Sequence, residues 1–155
     1  MTWPWFVIAI AVILWIYWTL SRADRERREG ALRRFGEMKL ARNPQNVHDF
    51  ALDCGAADAA DVAYRVRKIL LTISHYVLRA DVLEVDPTRL RSQDELGQDL
   101  AFDVDSLALA RLPLEMEREF KVPFTSEEFI DARTVGDVVR IVSHKVHPPD
   151  TSPPT

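Results

Sequence analysis

A serine flanked by aspartate and leucine, Asp105-Ser106-Leu107, stands where an acidic stretch gives way to an apolar-periodic one. A hydroxyl there can cap a helix, take a covalent group or, with a base beside it, attack a carbonyl. The third role lacks partners, because no Gly-x-Ser-x-Gly elbow precedes Ser106. His48, His75, His144 and His147 show no HExxH spacing and no pairing with Cys54. His144 and His147 lie three apart near a helix end, where imidazoles ordinarily answer the last carbonyls. Asp103 and Asp105 resemble a paired-carboxylate site, but ahead of a helix their expected role is solvated and N-terminal. The glycines at 30, 36, 55, 97 and 136 form no phosphate loop. The residues therefore assign no catalytic group and no metal site, and the chain reads as a non-enzyme.

The positions flanking this serine must be held by a small domain. The chain has 155 residues, enough for one modest core once its ends are set aside. Its net charge of -4 is unevenly spread. Residues 22–42 hold eight Arg or Lys against four acids, whereas residues 56–147 hold 17 acids against 12 bases. An acidic domain argues against nucleic-acid binding and suits partners with basic docking surfaces. Cys54 is the only cysteine, so no internal disulfide staples the fold.

No charge interrupts residues 2–20. Nineteen residues of helix span roughly 28 Å, close to the ~30 Å hydrocarbon thickness of a bilayer. Trp3 and Trp5 at one end, and Trp15, Tyr17 and Trp18 toward the other, form a pair of interfacial aromatic belts. A cleaved signal peptide fits less well: no Lys or Arg precedes the run, and Ser21-Arg22-Ala23 is a poor cleavage site. The expectation is a single-pass membrane anchor over residues 1–21. All the flanking positive charge lies C-terminal to it, which places the domain on the cytoplasmic side. Residues 22–40 continue as a charged helix, and four acids dilute their attraction to anionic lipid, so they read as a solvated flank. With Asn-Pro, Cys-Gly and few periodic apolar positions, residues 41–58 complete a juxtamembrane segment and connector over 22–58.

From there the pattern is helical. Val62, Val66, Ile69, Ile73 and Val77 mark one face of a helix of about five turns. A long loop follows over 81–104, with a short turn expected near Thr88–Arg91. Leu107, Leu109, Leu112, Leu114, Met116 and Phe120 outline a second helix, whose interior Pro113 should kink it. Thr125-Ser126-Glu127-Glu128 opens a short third helix, and Thr134 caps a fourth with Val135, Val138, Val139, Ile141 and Val142 inward. No strand alternation competes. The fold class is all-α: an N-terminal transmembrane helix and then a four-helix bundle over 59–147, with a Pro-rich tail over 148–155.

In order, these elements resemble an acyl carrier protein. The likeness covers about residues 60–146 and rests on Asp105-Ser106-Leu107 opening the second helix, Glu115-Met-Glu-Arg-Glu-Phe120 near its end, and Thr134-Val-Gly-Asp137 entering the last. The resemblance implies a 4'-phosphopantetheine arm joined by phosphodiester to the Ser106 hydroxyl, with acyl groups carried as thioesters on its thiol. It also implies recognition of Asp105 and Leu107 by a phosphopantetheinyl transferase, Asp105 assisting that enzyme with its metal. Arg111, Leu114 and Glu115 would fall on the face that acyl-loading and acyl-transferring enzymes dock. Ala108 and Arg111 replace early acids of that helix, which would redirect docking toward dedicated partners. The implied function is a membrane-anchored acyl carrier, in contact with the lipid bilayer, for lipid (fatty acid) or polyketide biosynthesis. The alternative is an unmodified carrier-like module that recruits a cytoplasmic partner to the membrane.

Overall fold

The computed structural model describes residues 3–78, 85–103 and 106–148; Asp105 and the proline-rich tail from residue 149 lie outside them. Its described residues are helices and turns, with a lone bridge between Glu95 and Thr134. Five α-helices follow in order: α1 (Trp3–Ala41), α2 (Val47–Asp53), α3 (Ala60–Leu78), α4 (Ser106–Phe120) and α5 (Val135–Val146). Single 3-10 turns lie at Ala57–Ala59, Pro87–Arg89 and Ser126–Phe129. The third helix expected from the sequence is thus the last of these turns, and α3, α4 and α5 make the bundle around it.

Each element has a local cause. Asn46 accepts a bond from the His48 N–H at the start of α2, and Asp86 does the same for Thr88 ahead of Pro87. Thr125 with Glu128, and Thr134 with Asp137, form reciprocal capping boxes that open the short turn and α5. Burial then selects the faces. Val62, Val66, Leu70, Ile73 and Val77 of α3 meet Val135, Val138, Val139 and Val142 of α5 in one buried cluster. Ile69 and Ile141 are only half-buried.

Two stretches differ from their sequence reading. On α4 the buried stripe is Ala108, Leu112 and Met116, at spacings of four, while Leu107, Leu109 and Leu114 are exposed. Leu107 and Leu114 fall off that stripe because none of their spacings from it is three or four, while Leu109, three from Leu112, lies at its edge and is the least exposed of the three. α4 runs through Pro113 as one helix, with the proline buried beside Leu112. The second difference lies before α3. The expected connector holds α2, with Phe50, Ala51 and Cys54 buried, and the charged flank buries Ala31, Phe35 and Met38 on one face of α1. These residues join the same cluster as α3 and α5. Residues 6–18 of α1, by contrast, are exposed throughout their apolar length, and α1 is long and apolar enough to cross a membrane.

Candidate functional site

The loop that delivers the chain to α4 is held from both sides. The Val135 and Gly136 N–H groups, first-turn donors of α5, reach the carbonyls of Asp94 (2.9 Å) and Ser92 (2.8 Å). Gly136 permits this approach, since a Cβ there would stand 3.0 Å from the Ser92 oxygen. The Leu96 N–H reaches the Arg133 carbonyl at 2.9 Å, and the Phe102 N–H folds back to Leu96 at 2.9 Å. Leu96, Leu100, Ala101 and Phe102 are buried. Ala101 adopts a left-handed φ of 61°, a strained state for a residue with a Cβ. It turns the chain a few residues ahead of Ser106, at a wholly buried position.

Ser106 is the first residue of α4. The first turn of this helix holds no carboxylate, and Leu107 beside it is 62% exposed. An anionic phosphodiester suits that position, because first-turn N–H groups and the helix dipole both favour negative charge. From Leu107 an exposed stripe continues at helical spacing through Arg111 and Leu114, with Glu115 beside it. Arg111 stacks its guanidinium 5.2 Å from the Tyr76 ring of α3, a contact that turns it along the α3–α4 groove. That groove, about 170 Å³, is floored by Ile69, Ile73 and Tyr76 and edged by Lys68, Arg111 and Glu115. Glu115 pairs with Arg118 at 3.6 Å. On the other flank Leu109 and Ile130 share a shallower cleft. The structure thus places the expected residues Ser106, Leu107, Arg111, Leu114 and Glu115 on one helix.

What the sequence left unmarked is the bracing. Asp94, buried at 2% exposure, accepts the Arg91 N–H and the Arg42 guanidinium. The spacing of Ala31, Phe35 and Met38, four then three, was the available signal that this flank packs on something. Arg67 of α3 is wholly buried, stacked 3.9 Å from the Phe50 ring, with one long bond to the Leu90 carbonyl. Its Nε and Nη2 have no hydrogen-bond partner among the described residues, and burial lowers its pKa. Cys54 is held as a neutral thiol: burial pushes its pKa up to about 12 despite nearby Arg67.

A three-helix bundle whose second helix begins at a serine, after a braced loop, is the architecture of a carrier domain. A family profile for the phosphopantetheine attachment site matches residues 78–142, from the last residue of α3 into α5. The acyl carrier protein of Thermosynechococcus vestitus is 36% identical over 67 residues, covering 43% of this chain and 80% of that protein. No solved structure matches the chain. The chain belongs to the acyl carrier protein family, and its prosthetic group is a covalently attached 4'-phosphopantetheine. α1, α2 and nearly all of α3 precede the profile match.

Proposed function

We propose that Ser106 bears the phosphopantetheine and that the chain is a membrane-anchored acyl carrier. The observation that carries this reading is the position of Ser106: inside the family match, first residue of α4, with no carboxylate in the first turn. When attached, the arm supplies a terminal thiol on which acyl groups ride as thioesters. The protein's own part is presentation. α4 offers its N-terminus to the phosphodiester, Asp105 and Leu107 meet the phosphopantetheinyl transferase, and Arg111, Leu114 and Glu115 meet the acyl-loading and acyl-transferring enzymes. Arg111 on the exposed stripe of α4, in a domain of net negative charge, favours partners dedicated to this carrier.

The exposed apolar half of α1 anchors the chain in the bilayer as a single span. The arginines that follow it keep the carrier domain on the cytoplasmic face. Lipid or polyketide biosynthesis is the setting that joins acyl transfer to a membrane, and anchoring raises the carrier's concentration near membrane-bound enzymes.

The test is intact-mass spectrometry of the full chain after co-expression with a broad-specificity phosphopantetheinyl transferase. One added phosphopantetheine, lost in Ser106→Ala, is the expected result. Modification that persists in Ser106→Ala would move the site elsewhere. Absence of any modification on folded chain, with the native transferase also tried, would leave an unmodified docking module. Co-flotation with lipid vesicles tests the anchor separately.

A further inference from the structure

A helix that ends a membrane span and a domain that begins after it are ordinarily joined by a flexible connector. Here the connection is packed. α1 continues from its apolar half into the domain without a break, and Ala31, Phe35 and Met38 on its distal half are 0–2% exposed within the core shared with α3 and α5. Arg34 donates to the Gln98 carbonyl at 2.6 Å. Just past the helix, Arg42 reaches both oxygens of Asp94 at 2.7 Å, while Arg91 donates to the Asn43 carbonyl at 2.6 Å and the Gln45 N–H to the Thr88 carbonyl at 2.8 Å. Every one of these polar contacts lands on residues 86–103, the loop that leads to Ser106.

We infer that α1 is a rigid strut rather than a tether, and that it holds the N-terminus of α4 at one height and one bearing above the membrane. The inference rests on the reading of residues 3–20 as a membrane span. Ala31 lies eleven helical steps beyond Leu20, a stand-off of ~16 Å at helical rise. Across that interval the helix is supported by its own side chains. Arg22 pairs with Glu26 at 3.1 Å, Arg22 also stacks 5.5 Å from the Trp18 ring, and one turn into the docked half Arg33 pairs with Glu37 at 3.2 Å. Gly30 is the soft point, since glycine weakens a helix interior and a Cβ there would meet nothing within 4 Å. The delivered acyl group would therefore explore the reach of the arm alone, not that of a swinging domain.

The experiment places spin labels at Asp24→Cys and Glu117→Cys, both exposed positions, in the full chain in lipid nanodiscs. Buried Cys54 stays unlabelled, which the unsubstituted chain verifies. Pulsed electron–electron distance measurement should give one narrow distribution. Insertion of Gly-Ser-Gly-Ser between Glu29 and Gly30 should broaden it severalfold, and Gly30→Ala should leave it as narrow or narrower. A native distribution as broad as that of the insertion, in chain recovered with the nanodiscs, overturns the strut and leaves the membrane reading intact. Chain that does not enter nanodiscs or float with vesicles overturns the membrane reading, and the strut with it.

Discussion

The Arg42 guanidinium lies 2.7 Å from both carboxylate oxygens of Asp94, and the Asp94 side chain is 3% exposed. Asp94 also accepts the Arg91 N–H through its side chain and the Val135 N–H through its carbonyl. One residue thus joins the end of α1, the loop into α4 and the start of α5. Arg42→Ala would leave a buried carboxylate with a single bond. The expected loss is about 2–3 kcal/mol, below the 3–5 typical of fully buried pairs because Arg42 is a third exposed. Asp94→Asn keeps the Arg91 bond and should cost less, about 1–2 kcal/mol. Urea unfolding of the full chain in detergent checks both, and an Asp94→Asn chain as stable as the native one would show that the charge of Asp94 contributes nothing.

Arg67 makes the opposite prediction. Among the described residues, two of its buried nitrogens lack a hydrogen-bond partner and its one bond goes to a carbonyl, not a carboxylate. A methionine of similar length removes the desolvation cost and keeps the packing on Phe50. Arg67→Met should therefore match or exceed the native stability, by up to about 1–4 kcal/mol, while Arg67→Ala should lose about 2–5 through its cavity. A destabilised Arg67→Met would mean that the guanidinium's contacts with Phe50 and Leu90 outweigh its desolvation.

The Cys54 thiol, 1% exposed and raised to about 12, should be inert to iodoacetamide at pH 8 in the folded chain and react quickly once unfolded. Mass spectrometry after timed alkylation reads this directly. On chain bearing the arm, the fast-reacting thiol of the folded state should then be the arm's own. Rapid alkylation of Cys54 without unfolding would show that α2 opens locally.

Acid should weaken the fold through two capping carboxylates. Burial acts to raise the Asp137 carboxyl, but N–H bonds from Arg133 and Thr134 outweigh it and hold it below the usual range. Glu128 is lowered chiefly by Lys145 and then by the Thr125 N–H. For groups lowered in the folded state, stability is fully present above the unfolded pKa and is lost as pH falls through the folded one. The unfolding midpoint should hold from pH 5 to 7 and fall below about pH 4. Asp137→Asn, with a cost of about 1 kcal/mol at pH 7, should flatten that acid limb. An unchanged acid limb would remove Asp137 from the account.

The helices of the bundle, the starts at Thr125 and Thr134 and the position of Ser106 were legible in the chain itself, because each depends on contacts within a few residues. Thr134 and Asp137 are three apart, and the core valines of α5 repeat at the helical period. The apolar length of α1 was equally plain. What the three-dimensional packing decided was which hydrophobic residues face inward, and what holds the loop ahead of Ser106. Leu107, Leu109 and Leu114 look like core residues by type, yet Ala108 occupies the buried stripe, since the inward face is set by the neighbouring helices and not by side-chain size. Phe35, Phe50 and Asp94 are separated by 15 and 44 residues along the chain, so no local period links them. The charges that marked residues 22–40 as a solvated flank are a property of one helix face. The opposite face became core once a partner surface existed to cover it, and only the assembled fold supplies that surface.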